Sequence, residues 1–130
     1  METLTLHVLI YGRSELIALA LQQSLQSRPQ IEAQHHLGDF LSLKIDIEQG
    51  HLARPQVIVI DQSSLGIPFA RVRDSFMDMG LQAPLIVLDV YRQGSFDRYF
   101  RERGAAAYLP VESSGEQLFG AVQEVFLAHV

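Results

Sequence analysis

The chain has 130 residues, of which 48% are hydrophobic and 19% are charged, and its formal net charge is −5. This composition predicts one folded domain over residues 1–130 and is too apolar for intrinsic disorder. The single lysine and the scattered arginines exclude a broad nucleic-acid surface, and the lack of cysteine excludes disulfides, thiolate catalysis and Cys-ligated zinc. No apolar stretch reaches the roughly 18 residues that span a bilayer, and the start lacks the basic region of a signal peptide. We therefore expect a cytoplasmic protein without a membrane contact.

The first half of the chain predicts three strands and two helices. Leu4 to Tyr11 is apolar and β-branched, and Ser14 can cap the helix that follows. Ile31 to Leu37 alternates weakly, as an edge strand does, and Phe40 to Glu48 is predicted to be helical. Val57 to Ile60 is the continuous apolar run of a central parallel strand. The residues expected to face inward are Leu16, Ile17, Ala20, Leu21 and Leu25 from the first helix, and Phe40, Leu41, Ile45 and Ile47 from the second.

The second half continues the alternation. Strands are predicted over Leu85 to Leu88 and over Ala105 to Leu109, with a short charged helix over Ser95 to Arg103 between them. Ser113 and Glu116 have the spacing of a capping box before the last helix. The apolar stripes are Phe69, Val72, Phe76 and Met79 in the third helix, and Leu118, Phe119, Val122, Val125 and Phe126 in the last. Strands and helices at this spacing predict a parallel sheet with right-handed crossovers.

Four segments give the chain a family resemblance. They are His7-Val8-Leu9-Ile10, Val57-Ile58-Val59-Ile60-Asp61 with Gly66 five residues later, Pro84-Leu85-Ile86-Val87-Leu88, and Gly104-Ala105-Ala106-Ala107-Tyr108-Leu109. Together they resemble the receiver domain of two-component response regulators, the CheY-like superfamily, over nearly the whole chain. The resemblance implies a flavodoxin-like, doubly wound sheet of five parallel strands in the order 2-1-3-4-5, with helices on both faces. It implies a signalling module and no enzyme.

Receivers carry out their chemistry at the carboxyl ends of the strands, where the crevice of such a sheet lies. Two acids after the first strand hold Mg²⁺, an aspartate after the third accepts a phosphoryl group, and a hydroxyl and a lysine follow the fourth and fifth. Asp61 matches the phosphoacceptor. The acid pair falls on Gly12 and Arg13, the hydroxyl on Asp89, and the lysine on Val111, or on Pro110 if the register shifts by one.

These departures predict a receiver-like module, a pseudo-receiver, that is not phosphorylated in the usual Mg²⁺-dependent way. We expect no metal and no cofactor, with Mg²⁺ needed only if Asp61 is phosphorylated. Arg13 would form a charge-balanced cluster with Asp61 and Asp89, because a guanidinium pairs well with carboxylates. Tyr108 matches the aromatic residue that reorients on activation in the family. Glu15 or Asp39 would be the acids able to replace the missing pair.

The resemblance also predicts where partners bind. In receivers, helix 4, strand 5 and helix 5 form the surface used for dimers and partners, and the mixed charges here suit a self-complementary face. The interface candidates are Phe96, Arg98, Tyr99, Arg101 and Phe119. The expected partner is a histidine kinase, a downstream regulator or a second copy of the chain, and DNA would be contacted only by a further C-terminal domain, in a transcription regulator.

Two alternatives stay open. One is a divergent receiver that still accepts a phosphoryl group on Asp61. The other is a small flavodoxin-like domain that binds an anion or metabolite where Gly12, Arg13 and Ser14 open the first helix. His35 and His36 are the sole candidate metal pair, but neighbouring strand residues point to opposite faces and cannot easily share an ion.

Overall fold

A parallel sheet organises the structure, a computed structural model that describes residues 5–90 and 94–129. Within these residues the strands are β1 (Leu6–Tyr11), β2 (Ile31–His36), β3 (Val57–Asp61), β4 (Leu85–Asp89) and β5 (Ala107–Pro110). The helices are α1 (Glu15–Gln26), α2 (Phe40–Glu48), α3 (Phe69–Asp78), α4 (Gly94–Glu102) and α5 (Gly115–Ala128). All strand pairs are parallel and the order is β2-β1-β3-β4-β5, so the predicted fold is confirmed.

The core has two halves, one on each face of the sheet. Alternate residues of the strands point to opposite faces, so Val8 and Ile10 pack with α1 and α5, whereas Leu9 and Tyr11 pack with α2, α3 and α4. The buried β3 and β4 are apolar throughout except for the aspartate that ends each strand. This arrangement brings two carboxylates close together at the carboxyl ends of β3 and β4.

Side-chain caps begin three of the helices. Ser14 caps α1 as predicted, and Asp39 caps α2 by accepting the Ser42 N–H at 2.8 Å. The capping box of α5 is formed by Ser114 and Gln117 rather than by Ser113 and Glu116, so that prediction was one residue early. Ser113 is used differently, because its hydroxyl donates to the Pro110 carbonyl at 2.7 Å.

Two helices present a different side to the core from the one predicted. In α1, Leu16 is 80% exposed, whereas Ala18 and Leu25 are buried. In α2, Leu41 is 66% exposed, and the buried residue is Leu43. Both helices are apolar around much of their circumference, and the sequence pattern therefore did not fix the rotation of either helix. The other prediction errors on these helices are Ala20 and Ile45, which are also exposed.

The free edge of β2 is covered by amide side chains from α1. Gln26 donates to the Ile31 carbonyl and accepts from the Ala33 N–H, and Gln22 donates to the Ala33 carbonyl. These bonds satisfy groups that could otherwise pair with another strand. Over residues 5–90 and 94–129, no helix is both long enough and apolar enough to cross a bilayer.

Candidate functional site

Asp61 lies at the end of β3, and its side chain is almost sealed from solvent. The residue is 1% exposed, and Oδ1 accepts a hydrogen bond from the Ser63 hydroxyl at 2.7 Å. Oδ2 is buried and has no hydrogen-bond partner among the described residues. The Ser64 hydroxyl donates to the Asp61 carbonyl at 3.0 Å and accepts the Arg13 N–H at 2.9 Å. The two serines were not assigned a role from sequence, although Asp and Ser are residues that commonly form local hydrogen bonds in turns.

Gly12 closes the site from the end of β1. A Cβ atom at this position would lie 2.9 Å from the Asp61 Cβ, 3.1 Å from the Ser64 Oγ and 3.3 Å from the Asp61 Oδ2. Contacts that short would force the neighbours to move, so the packing admits glycine and no larger residue. A side chain at this position, where the family resemblance places an acid, would therefore have to displace Asp61 and Ser64.

Asp89 ends β4 as a second buried carboxylate. It is 7% exposed, and its Oδ1 accepts the Val90 N–H at 2.7 Å. Burial raises the pKa of Asp89, the Val90 N–H works against this shift, and the charge of Asp61 adds to it. Its carbonyl accepts the Val111 N–H at 2.8 Å, and Pro110 is its register partner on β5. Neither Val111 nor Pro110 can supply the positive charge of a lysine.

The predicted ion-pair cluster of Arg13 with Asp61 and Asp89 does not form. The Arg13 side chain is exposed, and the ion pairs and hydrogen bonds among the described residues join it to neither carboxylate. The charge of Arg13 acts on Asp39 instead. The pKa of Asp39 is lowered mainly by hydrogen bonds from Ser42, and to a smaller extent by the charges of His36 and Arg13. The prediction failed because Gly12 and Ser64 hold the backbone of Arg13 at the crevice while the long side chain reaches away from it.

Neither of the two acids expected to replace the missing pair is placed in the crevice among the described residues. Asp39 is used as the α2 cap, and Glu15 is exposed in the first turn of α1. Across residues 5–90 and 94–129, no group of three or more His, Asp or Glu side chains is placed to hold a metal ion. With position 12 lacking a side chain, the crevice residues do not fit the Mg²⁺ site that the resemblance implies.

The groups expected to bind an anion at the start of α1 already have partners. The Arg13 N–H donates to Ser64, the Gly12 N–H donates to the His36 carbonyl at 3.4 Å, and the Ser14 hydroxyl accepts the Ile17 N–H at 3.2 Å. An anion would have to displace these bonds. The arrangement is thus a packed turn that links β1 to α1.

Tyr108 is held inside the molecule. It is 9% exposed, and its ring stacks on Phe100 of α4 at a centroid distance of 5.2 Å and an angle of 11°. Phe100 in turn meets Phe69 edge-on at 5.8 Å. Aromatic stacking therefore links β5 to α4 and α3 and favours one position of the tyrosine.

The five interface candidates do not all lie on the same face of the molecule. Arg101 lines a groove of about 290 Å³ between α4, β5 and α5, together with Tyr108 and Glu124. Arg98 and Tyr99 are exposed on α4, and Phe96 is half-buried against the core. Phe119 was wrongly placed on this face: it packs on the α1 side, with the Arg28 guanidinium 4.5 Å from its ring centroid.

Known structures share this fold. Scans against protein-family models and curated proteins found no match. The Francisella response regulator 1452 receiver domain superposes with a TM-score of 0.77 at 17% identity, over 97% of this chain and 100% of that one. A LuxR-family DNA-binding response regulator from Staphylococcus aureus gives 0.71 at 17% identity, over 93% and 98%. The Vibrio cholerae chemotaxis protein CheY4 gives 0.72 at 20% identity, over 93% and 98%.

The chain therefore has the CheY-like fold of response-regulator receiver domains, as the resemblance predicted. At these identities the likeness establishes the fold. The chemistry must be argued from the residues of this chain, five of which were matched to the crevice by the sequence resemblance: Gly12, Arg13, Asp61, Asp89 and Val111.

Proposed function

We propose that this chain is a receiver-like signalling module that does not accept a phosphoryl group through Mg²⁺ and that acts through protein contacts. The observation that carries the proposal is the closure of the Asp61 carboxylate. Gly12 lies against it, Ser63 occupies Oδ1, and the residue is 1% exposed. A phosphoryl donor must reach a carboxylate oxygen in line, and this packing leaves no such approach.

Electrostatics supports the same conclusion. Asp61 and Asp89 place two carboxylates at neighbouring strand ends, and the side chain of Arg13 lies away from both. A phosphoryl group brings further negative charge, which receivers offset with a metal ion and a lysine. The described residues of this crevice supply neither group. Transfer to Asp61 would therefore place like charges together in a buried site without compensation.

The first test is an amide NMR spectrum recorded with and without Mg²⁺ and beryllofluoride, which imitates an aspartyl phosphate. We expect the amides of Asp61, Asp89 and Tyr108 to stay unshifted at millimolar concentrations of both, because the carboxylate is closed and no metal site is formed. The Asp61→Asn variant provides the matched control. Saturable shifts in the wild type that disappear in this variant would overturn the proposal and support the phosphorylatable alternative.

The face formed by α4, β5 and α5 is the proposed contact surface. Arg101 of α4 lies on one side of its groove and Glu124 of α5 on the other, with apolar atoms of Ala106, Leu109 and Ala121 between them. Arg101 is anchored by Asp97 and by the Ala106 carbonyl. In a two-fold dimer, each Arg101 can meet the Glu124 of the second copy, so the face is self-complementary.

A charge-reversal series tests this dimer. We expect Arg101→Glu to weaken self-association about tenfold or more, because two like-charge contacts replace two attractive ones in a symmetric dimer. The double variant Arg101→Glu with Glu124→Arg should restore association. Lys44→Glu on α2, at the opposite edge of the sheet, makes the same charge change and should have no effect. Sedimentation equilibrium over a wide concentration range measures each constant; a wild type that stays monomeric would exclude the dimer and leave a different protein as the partner.

A further inference from the structure

Two histidines flank a single carboxylate at the edge of the molecule distant from the proposed contact face. His36 ends β2, Asp46 lies on α2, and His51 lies on the segment that follows this helix. The His36 Nδ1 is 3.4 Å from the Asp46 Oδ2, and the His51 Nδ1 is 3.4 Å from the Asp46 Oδ1. Each histidine thus contacts a different oxygen of the same aspartate, and α2 is connected to the strand before it and to the loop after it.

The His36 ring is held in place by its surroundings. Its side chain is 10% exposed, and the ring stacks nearly parallel to Tyr11, with a centroid distance of 6.3 Å and an angle of 7°. The Nε2 lies 3.0 Å from the Ser42 Oγ. A Cβ at position 38 would lie 2.8 Å from this Nε2 and would push against the ring. Burial, stacking and the Ser42 contact therefore favour the position in which Nδ1 faces Asp46.

The His36 ring has a polar group opposite each of its two nitrogens. The Nε2 faces the Ser42 hydroxyl, which also lies 3.1 Å from the Asp39 carbonyl oxygen, and the Nδ1 faces the Asp46 carboxylate. A neutral ring with its proton on Nε2 has a bare lone pair on Nδ1, and this lone pair would face the Asp46 carboxylate. With a second proton on Nδ1, the ring presents positive charge to the carboxylate instead.

We propose that His36, Asp46 and His51 form a proton-operated clamp that fixes α2 to the end of β2 when His36 is protonated and loosens when it is neutral. The other charged or titratable groups near the ring are Asp39 at the start of α2, Tyr11 on β1 and Arg13 after β1. The Tyr11 hydroxyl donates to the Gly38 carbonyl. The clamp goes beyond the proposed signalling role, because it makes this part of the fold sensitive to pH.

Hydrogen exchange measures the clamp directly. Histidine is the side chain that ordinarily changes charge between pH 5 and 8, so the α2 amides should be protected at pH 5.5 and less protected at pH 8. After correction for intrinsic exchange rates, we expect protection in residues 40–48 to fall about tenfold, as the loss of a charge-assisted contact of ordinary strength implies. The α5 amides of the same molecule provide the internal reference.

Three variants make the test specific. Asp46→Asn keeps the shape of the side chain but removes its charge, and His36→Gln removes the titrating ring; both should abolish the pH dependence in α2. His129→Gln removes a histidine that contacts the Val125 carbonyl and no acid among the described residues, and it should behave as the wild type. Equal pH dependence in the wild type and in Asp46→Asn, or equal loosening of α2 and α5, would overturn the clamp.

Discussion

Replacing Gly12 with alanine is expected to destabilise the protein by about 1–3 kcal/mol, the usual cost of overpacking a well-packed site. The new methyl group would lie 2.9 Å from the Asp61 Cβ, an atom fixed directly to the backbone of β3. Neither β1 nor β3 can yield easily, because both are interior strands of the sheet. Gly12→Asp should cost more, since it adds a third carboxylate beside Asp61 and Asp89.

Urea unfolding of Gly12→Ala and Gly120→Ala, a matched pair of the same chemical change, isolates this packing effect. Gly120 lies within α5, and a Cβ atom added there would meet nothing within 4 Å beyond the backbone of its own helix. Alanine there should stabilise the protein by about 0.5–1 kcal/mol through its helix propensity. Equal effects of the two substitutions would show that the crevice is open, and a gain of beryllofluoride binding by Gly12→Asp would contradict the closure of the crevice by packing around Gly12.

The sequence predicted the positions of the strands better than it predicted which side of each helix faces the core. Strands such as β3 are short, apolar on both faces and bounded by Pro, Gly or Asp, so their position requires no knowledge of neighbouring elements. Helix α2 was predicted with the correct bounds but rotated wrongly, because Leu41 and Leu43 are equally apolar and only the tertiary packing selects Leu43. The same ambiguity placed Leu16 inside, where the structure has Ala18.

The residues at the ends of the strands could be read from the sequence, but the contacts between them could not. The lack of an acid at Gly12 was visible in the sequence, but the closure of Asp61 by Gly12 and Ser63 depends on distances between separate segments of the chain. The expected pairing of Arg13 followed from charge alone, and a flexible side chain at the surface has several carboxylates within reach. Charge shows which contacts are favourable, and the backbone path decides which of them form.

Replacing Asp89 with asparagine is expected to stabilise the protein at pH 7, because it removes a buried charge without a cationic partner among the described residues. The amide oxygen can still accept the Val90 N–H that the carboxylate accepts now. The pKa of Asp89 is raised by burial and by the charge of Asp61. The folded protein thus binds the Asp89 proton more tightly than the unfolded chain does. The stability that this provides is lost as the pH rises through the pKa of Asp89 in the folded state.

The stability difference between Asp89→Asn and the wild type should therefore be largest at neutral pH and should shrink as the pH falls and Asp89 becomes protonated. Asp39→Asn provides a control of opposite sign, because hydrogen bonds from Ser42 lower the pKa of Asp39. The ionised Asp39 contributes stability above its unfolded-state pKa and loses it as the pH falls, so this variant should be the less stable one at pH 7. Urea unfolding of the three proteins at pH 7 and pH 4.5 measures both effects. If Asp89→Asn destabilised the protein at pH 7, the Asp89 charge would have a favourable partner in the crevice, and the electrostatic argument against phosphoryl transfer would have to be withdrawn.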